Sequence, residues 1–138
     1  MTDDILLTTT VGSFGKPDYL QKARNANARG KVSDADLLDL ERKATEEWIR
    51  RQEDIDLDIL VDGEMYRGDM VAYFAEHLTG FEEGGLVRAY GNRYYHKPIA
   101  TGPVTRPAPI TVDWWRYAQS LTERPVKGML TGPYTICD

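Results

Sequence analysis

One cysteine, two histidines and the absence of any long apolar run set the first limits on this 138-residue chain. A lone Cys137 cannot close an internal disulfide. His77 and His96 form no two-histidine helical pair and neither sits near that cysteine, so the three or four protein ligands of a mononuclear zinc site are not assembled. No apolar stretch approaches the ~20 residues of a membrane span. Met1-Thr2-Asp3-Asp4 puts acid where a secretory leader is basic, and Ile5-Leu6-Leu7 is too short for such a leader's apolar centre. Lys and Arg number 17 against 22 Asp and Glu, a net charge of -5, and the cations are spread rather than gathered, which argues against a phosphate-backbone partner. Together these absences predict a cytoplasmic chain with a reduced thiol that binds neither membrane nor nucleic acid.

What is present is enough for a modest core: 41% of residues are hydrophobic and 28% charged. Ile5 to Val11 is apolar and β-branched and breaks at Gly12-Ser13-Phe14-Gly15-Lys16-Pro17, a strand running into a loop. A short helix fits Tyr19 to Ala26, before the break at Gly30. Ser33 then suits an N-cap, with Asp34 and Asp36 in the first turn, and a helix runs to about Asp54. Leu37, Leu40, Ala44 and Trp48 mark its apolar side, and Asp39/Lys43, Glu46/Arg50 and Glu47/Arg51 pair acid before base on its wet side.

Ile59-Leu60-Val61 reads as a strand buried on both faces, ending in Asp62-Gly63-Glu64. Strand, helix and strand with a long crossover is the pattern of a parallel βαβ unit. Met70 to Leu78 reads as a short helix closed by Gly80, and Leu86 to Val104 as a two-stranded excursion. Thr111 caps a helix through Ser120, and Pro125 to Leu130 is a third strand. The fold class is therefore α/β: an arc of a (β/α)₈ barrel, with three parallel strands, their crossover helices and a β-hairpin excursion. In such barrels the loops after the strands carry the active site.

Three of these loops could carry chemistry. Val11-Gly12-Ser13 exposes backbone N–H groups and a hydroxyl that can hold a carboxylate, although Gly-Ser turns are common. Glu64, at the end of the second strand, can bind an ammonium group or act as acid or base; the plainer alternative is a solvated strand-end carboxylate. Tyr90-Gly91-Asn92-Arg93-Tyr94-Tyr95 suits a flat heterocycle or a carboxylate tail, or simply a hairpin whose tyrosines pack. His77, His96, Trp48, Trp114 and Trp115 read as structural.

In order and spacing, six blocks resemble the C-terminal barrel of cobalamin-independent methionine synthase: Thr8 to Phe14, Val61 to Glu64, Gly68 to Phe74, Tyr90 to Tyr94, Arg106 to Val112 and Pro125 to Pro133. The resemblance implies that residues 1–138 are the N-terminal portion of a catalytic barrel that methylates homocysteine. It places Val11, Gly12, Ser13 and Glu64 at homocysteine, and Arg93 and Tyr94 at the folate donor. It also implies zinc in the parent family, where coordination turns the substrate thiol into a thiolate. The family's zinc ligands, substrate-amine aspartate and proton-donating histidine come from later strands, so the chain is expected to hold no metal and no catalytic residue itself.

Asp62 stands where the long enzymes often carry histidine. The resemblance is to the short, single-barrel branch, so the methyl donor is either a methyltetrahydropteroyl-glutamate or a methylated corrinoid protein. Expected partners are homocysteine, that donor, and a second polypeptide completing the barrel or a second copy of the chain. The rival readings are a non-catalytic module that associates through its open sheet edge and a truncated piece without independent function.

Overall fold

The computed structural model describes residues 6–88, 91–92 and 94–137, and these divide into two compact units. The first comprises Met1–Tyr66 and Val112–Met129, the second Arg67–Thr111 and Leu130–Asp138.

The first unit is built on α1 (Asp18–Asn27), α2 (Asp34–Asp54) and α4 (Val112–Gln119). Pro17 opens α1, and its end is tied by Gly30 N donating to Asn27 O at 2.8 Å and Lys31 N to Ala26 O at 2.9 Å. Ser33 caps α2 as its sequence predicts, its Oγ accepting from Asp36 N at 3.1 Å. At the far end Asp56 adopts φ 61, and Leu57 N reaches back to Gln52 O at 3.1 Å. The buried row of α2 is Glu41, Ala44, Thr45, Ile49 and Gln52, rotated slightly from the apolar spacing, so that Leu37, Leu40 and Trp48 pack at its margin.

Three segments run parallel in this unit, each joined to its neighbour by a single bridge: Thr9 with Ile59, and Leu60 with Val126. Ile59 N donates to Thr8 O at 3.1 Å, Leu60 N to Pro125 O at 2.9 Å, and Lys127 N to Leu60 O at 3.0 Å. The order is the expected one, with the Ile59–Val61 segment central, but the pairing is shorter than the apolar runs suggest. Part of the ladder's role falls to a side chain: Gln52 Nε2 donates to Val61 O at 2.8 Å while its Oε1 accepts from Val61 N at 3.0 Å. A buried amide thus satisfies both backbone groups of Val61.

Leu60 and Val61 are fully buried. One core cluster joins Leu60 to Ile49, Ala118 and Val126; a second joins Leu20, Ala44 and Met65, flanked by Phe14, Tyr19 and Trp48. Because α2 feeds both clusters, it is the helix on which the parallel segments are assembled.

The second unit contains α3 (Ala72–Glu76), β1 (Thr79–Arg88), β2 (Tyr94–Thr105) and α5 (Pro133–Cys137). Asp69 Oδ1 caps α3 by accepting from Val71 N at 2.8 Å and Ala72 N at 2.9 Å, which starts the helix two residues later than its composition suggests. The excursion is an antiparallel hairpin whose register runs from Thr79↔Thr105 to Arg88↔Tyr94. It begins earlier than expected, because Gly80, which reads as a helix terminator, lies within β1 close to Pro103. The hairpin irregularities fall between Thr79 and Phe81 and between Glu83 and Leu86. No helix among the described residues is long and apolar enough to cross a membrane.

Candidate functional site

The parallel bridges fix a direction. Ser13 follows Thr9 by four residues and Glu64 follows Ile59 by five, so both come after the same ends of adjacent parallel segments. A backbone hydrogen bond joins the two loops there, Phe14 N donating to Gly63 O at 3.1 Å. The Phe14 ring stacks on Trp48, centroids 4.4 Å apart, and Trp48 Nε1 donates to Gly15 O at 3.3 Å. Trp48 is therefore the packing residue its spacing implied, and what it packs is the candidate loop.

Two glycines make the close approach feasible. A Cβ on Gly63, whose φ is 74, would sit 2.9 Å from the Phe14 ring, and one on Gly12 would sit 2.7 Å from Met129 Cε. The loops after the first and second segments, and Met129 beyond the third, thus meet at one rim of the first unit. Within that rim Gly12 is buried, Val11 and Ser13 are exposed, and Glu64 is partly exposed.

Sequence spacing did not reveal the polar frame behind Glu64. Arg24 on α1 donates through Nη2 to Glu41 Oε1 on α2 at 2.6 Å and to Met65 O at 2.7 Å. Burial pushes the Glu41 carboxyl above its ordinary range, against the pull of Arg24. Lys16, in the loop after the first segment, is pushed down, first by burial and then by Arg24, while the charges of Glu64 and Glu41 act the other way. The available signal was a charged residue on the buried side of α2: Glu41 lies three residues before Ala44.

Tyr94 belongs to the second unit, at the start of β2, and Arg93 lies outside the described residues. Tyr94 lines a cleft of about 750 Å³ between α3 and the hairpin, with Asp69, Glu76, Phe81, Glu83 and His96 among its walls. None of Val11, Gly12, Ser13 or Glu64 lines this cleft. The rim is identified by backbone geometry, not by enclosed volume.

The histidines are engaged locally. His77 Nδ1 lies 2.7 Å from Tyr73 O, and His96 Nδ1 lies 2.7 Å from Glu83 Oε1. Among the described residues no group of three or more His, Cys, Asp or Glu is placed to hold a metal ion. The described donors therefore do not fit zinc.

Residues 6–138 match the family described as cobalamin-independent synthase, catalytic domain. The 5-methyltetrahydropteroyltriglutamate–homocysteine methyltransferase of Nitrobacter winogradskyi is 53% identical over 131 residues, covering 94% of this chain and 17% of the relative. Its namesake from Caulobacter vibrioides is 53% identical over 133 residues, covering 95% of this chain and 17% of that protein. Among solved structures, a B12-independent methionine synthase from a Shewanella species, in complex with selenomethionine, superposes with a TM-score of 0.78 at 27% identity, over 96% of this chain and 40% of that one. A Listeria monocytogenes protein, described as a putative vitamin-B12-independent methionine synthase, superposes at 0.72 with 19% identity, over 96% of this chain and 39% of that one, and supports the fold alone. The chain thus spans about a sixth of the length of the curated relatives, at 17%, and the shared fold is an arc of their (β/α)₈ barrel.

Proposed function

This chain belongs to the cobalamin-independent synthase catalytic-domain family, and we propose that its rim is the amino-acid half of a homocysteine site in an enzyme that methylates homocysteine to methionine. In this reading Ser13 Oγ and the backbone N–H groups of Val11-Gly12-Ser13 bind the substrate carboxylate, and the Glu64 carboxylate binds its ammonium group. The two charged ends of one small zwitterion would then be held by two loops that the Phe14–Gly63 hydrogen bond already joins at 3.1 Å. That bond is the observation that carries the proposal.

Holding the amino-acid end orients the substrate and leaves its sulfur for the methyl donor. A free thiol, with a pKa near 8.5, is mostly protonated at neutral pH, and zinc in the parent family supplies the thiolate. The described donors here do not fit that ion, so the assigned role stops at binding and orientation. We assign Arg93 and Tyr94 to the donor side, with a methyltetrahydropteroyl-glutamate as the donor, as the names of the relatives imply, and a methyl-corrinoid protein as the alternative. The cytoplasm is the compartment assigned, and residues 1–138 are read as one N-terminal portion of the barrel.

A specific observation favours a second, compatible reading, association through the outer parallel segments. Leu6, Leu7 and Val11 are 93%, 62% and 85% exposed, whereas Leu60 in the central segment is 0% exposed. Neighbouring barrel strands, from a second polypeptide or a second copy, would cover them.

The test is a chimera in which these residues replace the matching segment of the Caulobacter relative. Methionine formation from homocysteine and methyltetrahydropteroyl-triglutamate is expected, falling at least about tenfold on Glu64→Ala, as loss of a charge-assisted contact implies. A folded chimera without activity would contradict the proposal.

A further inference from the structure

Glu64 occupies a backbone conformation that its side chain disfavours. Its φ is 59, in the left-handed region where a residue with a Cβ is strained, and it directly follows Gly63 at φ 74. Glycine would serve this turn better, so something must hold glutamate there.

Asp62 supplies the hold. It is 4% exposed, and both of its carboxylate oxygens are used within the turn. Oδ1 accepts from Glu64 N at 3.0 Å, and Oδ2 accepts from the Tyr66 hydroxyl at 3.0 Å. Tyr66 is itself fixed, 7% exposed and stacked on Trp114 with centroids 4.4 Å apart. On the other side of Glu64, the Met65 carbonyl is pinned by Arg24 Nη2 at 2.7 Å, and Arg24 is held by Glu41 at 2.6 Å. The residues on both sides of Glu64 are therefore anchored to different helices, α4 through Trp114 and α1 and α2 through Arg24.

We propose that Asp62 is a positioning residue for Glu64: with Tyr66, and with the Arg24–Glu41 pair behind Met65, it clamps the turn so that the strained Glu64 keeps its carboxylate at the rim. The substrate role of Glu64 rests on the reading above; the clamp itself does not. Asp62 acts through Glu64, because its own carboxylate oxygens are taken by Glu64 N and the Tyr66 hydroxyl.

The decisive experiment is a double-mutant cycle on the full chain. Glu64→Gly and Glu64→Ala both remove the carboxylate, so their difference isolates the backbone. The glycine variant is expected to melt about 3 °C above the alanine variant, the relief of left-handed strain. In an Asp62→Leu background, where both hydrogen bonds are gone, the turn relaxes and that difference disappears. Tyr66→Phe, which removes only the bond that orients Asp62, reduces it partway and serves if the leucine variant does not fold. Asp62→Asn keeps an acceptor for Glu64 N and retains the difference. A glycine advantage that persists undiminished in both Asp62→Leu and Tyr66→Phe overturns the clamp.

A homocysteine titration followed by NMR then separates the clamp from its purpose. Asp62→Leu is expected to weaken binding about tenfold, as loss of a hydrogen-bonded arrangement implies, with Asp62→Asn within about twofold of the parent. Equal affinity in Asp62→Leu and the parent overturns the positioning role. If the cycle behaves as stated and the parent shows no response to homocysteine, the clamp stands and the substrate reading of Glu64 falls.

Discussion

The two units solve the problem of stability in different ways. In the first, short parallel pairings are surrounded by fully buried side chains, Leu20, Ala44, Ile49, Leu60, Val61 and Met65. In the second, an antiparallel pair of strands of ten and twelve residues, interrupted at two irregularities, carries Leu86, Ile99 and Val104 at 62%, 53% and 48% exposure. The first unit is held by packing onto α2; in the second, α3 buries Phe74 at 1% and Ala75 at 5% exposure, and the hairpin itself rests on backbone hydrogen bonds between its strands. Precise placement of a side chain such as Glu64 needs the former, because packed neighbours fix rotamers and a ladder alone fixes only the backbone.

Deleting one member of the buried ion pair tests that contrast hardest. Arg24→Met leaves Glu41 buried without its cation and frees the Met65 carbonyl, at an expected cost of about 3–5 kcal/mol. Adding Glu41→Leu is expected to recover much of it, since a well-packed apolar pair often equals a buried ion pair. Urea titration of the single and double variants measures both. A single variant within about 0.5 kcal/mol of the parent, the range of ordinary surface substitutions, would show that the pair is not part of the first unit's frame.

A paired truncation addresses packing directly. Leu60→Ala should cost about 2–5 kcal/mol, as core cavities do. Ile99→Ala, on the exposed hairpin, should stay within about 0.5 kcal/mol. Comparable losses at the two positions would erase the distinction between the units.

A smaller effect appears on acidification. Thr8 donates to Asp58 Oδ2 through both its N–H and its hydroxyl, each at 2.7 Å, linking the first two parallel segments. These bonds hold the Asp58 carboxyl below its ordinary value of 3.8. Its contribution is complete above that value and is lost as pH falls through the lower folded-state value. Glu41 has the opposite sign: its pKa is raised above 4.5 by burial, so stability declines as pH rises from 4.5 through the folded-state value. Asp58→Asn should flatten only the acid limb of a melting-temperature profile, and loss of the other limb instead would reverse the assignment.

Much of this arrangement was legible in the sequence. Ser33 and the acidic first turn located α2, and the apolar run at Ile59 located the central parallel segment. The ends of β1 were not, because Gly80 reads as punctuation and only the pairing with β2 shows that a strand passes through it. The rim could be anticipated from strand order, since loops after parallel strands share one end. Its frame could not: Arg24 meets Glu41 and Met65 across 17 and 41 residues, and no local spacing rule reports such contacts. Glu64 illustrates the limit, because its composition is equally that of a solvated carboxylate, and only its φ of 59 and the Asp62 contact distinguish it.

A homocysteine titration of the isotope-labelled chain tests the rim most directly. Saturable shifts are expected at the amides of Gly12, Ser13, Gly63 and Glu64, abolished by Glu64→Ala and absent from the β1–β2 hairpin. Shifts confined to the hairpin, or a rim that stays unchanged in a folded chain at saturating homocysteine, would contradict the proposed site.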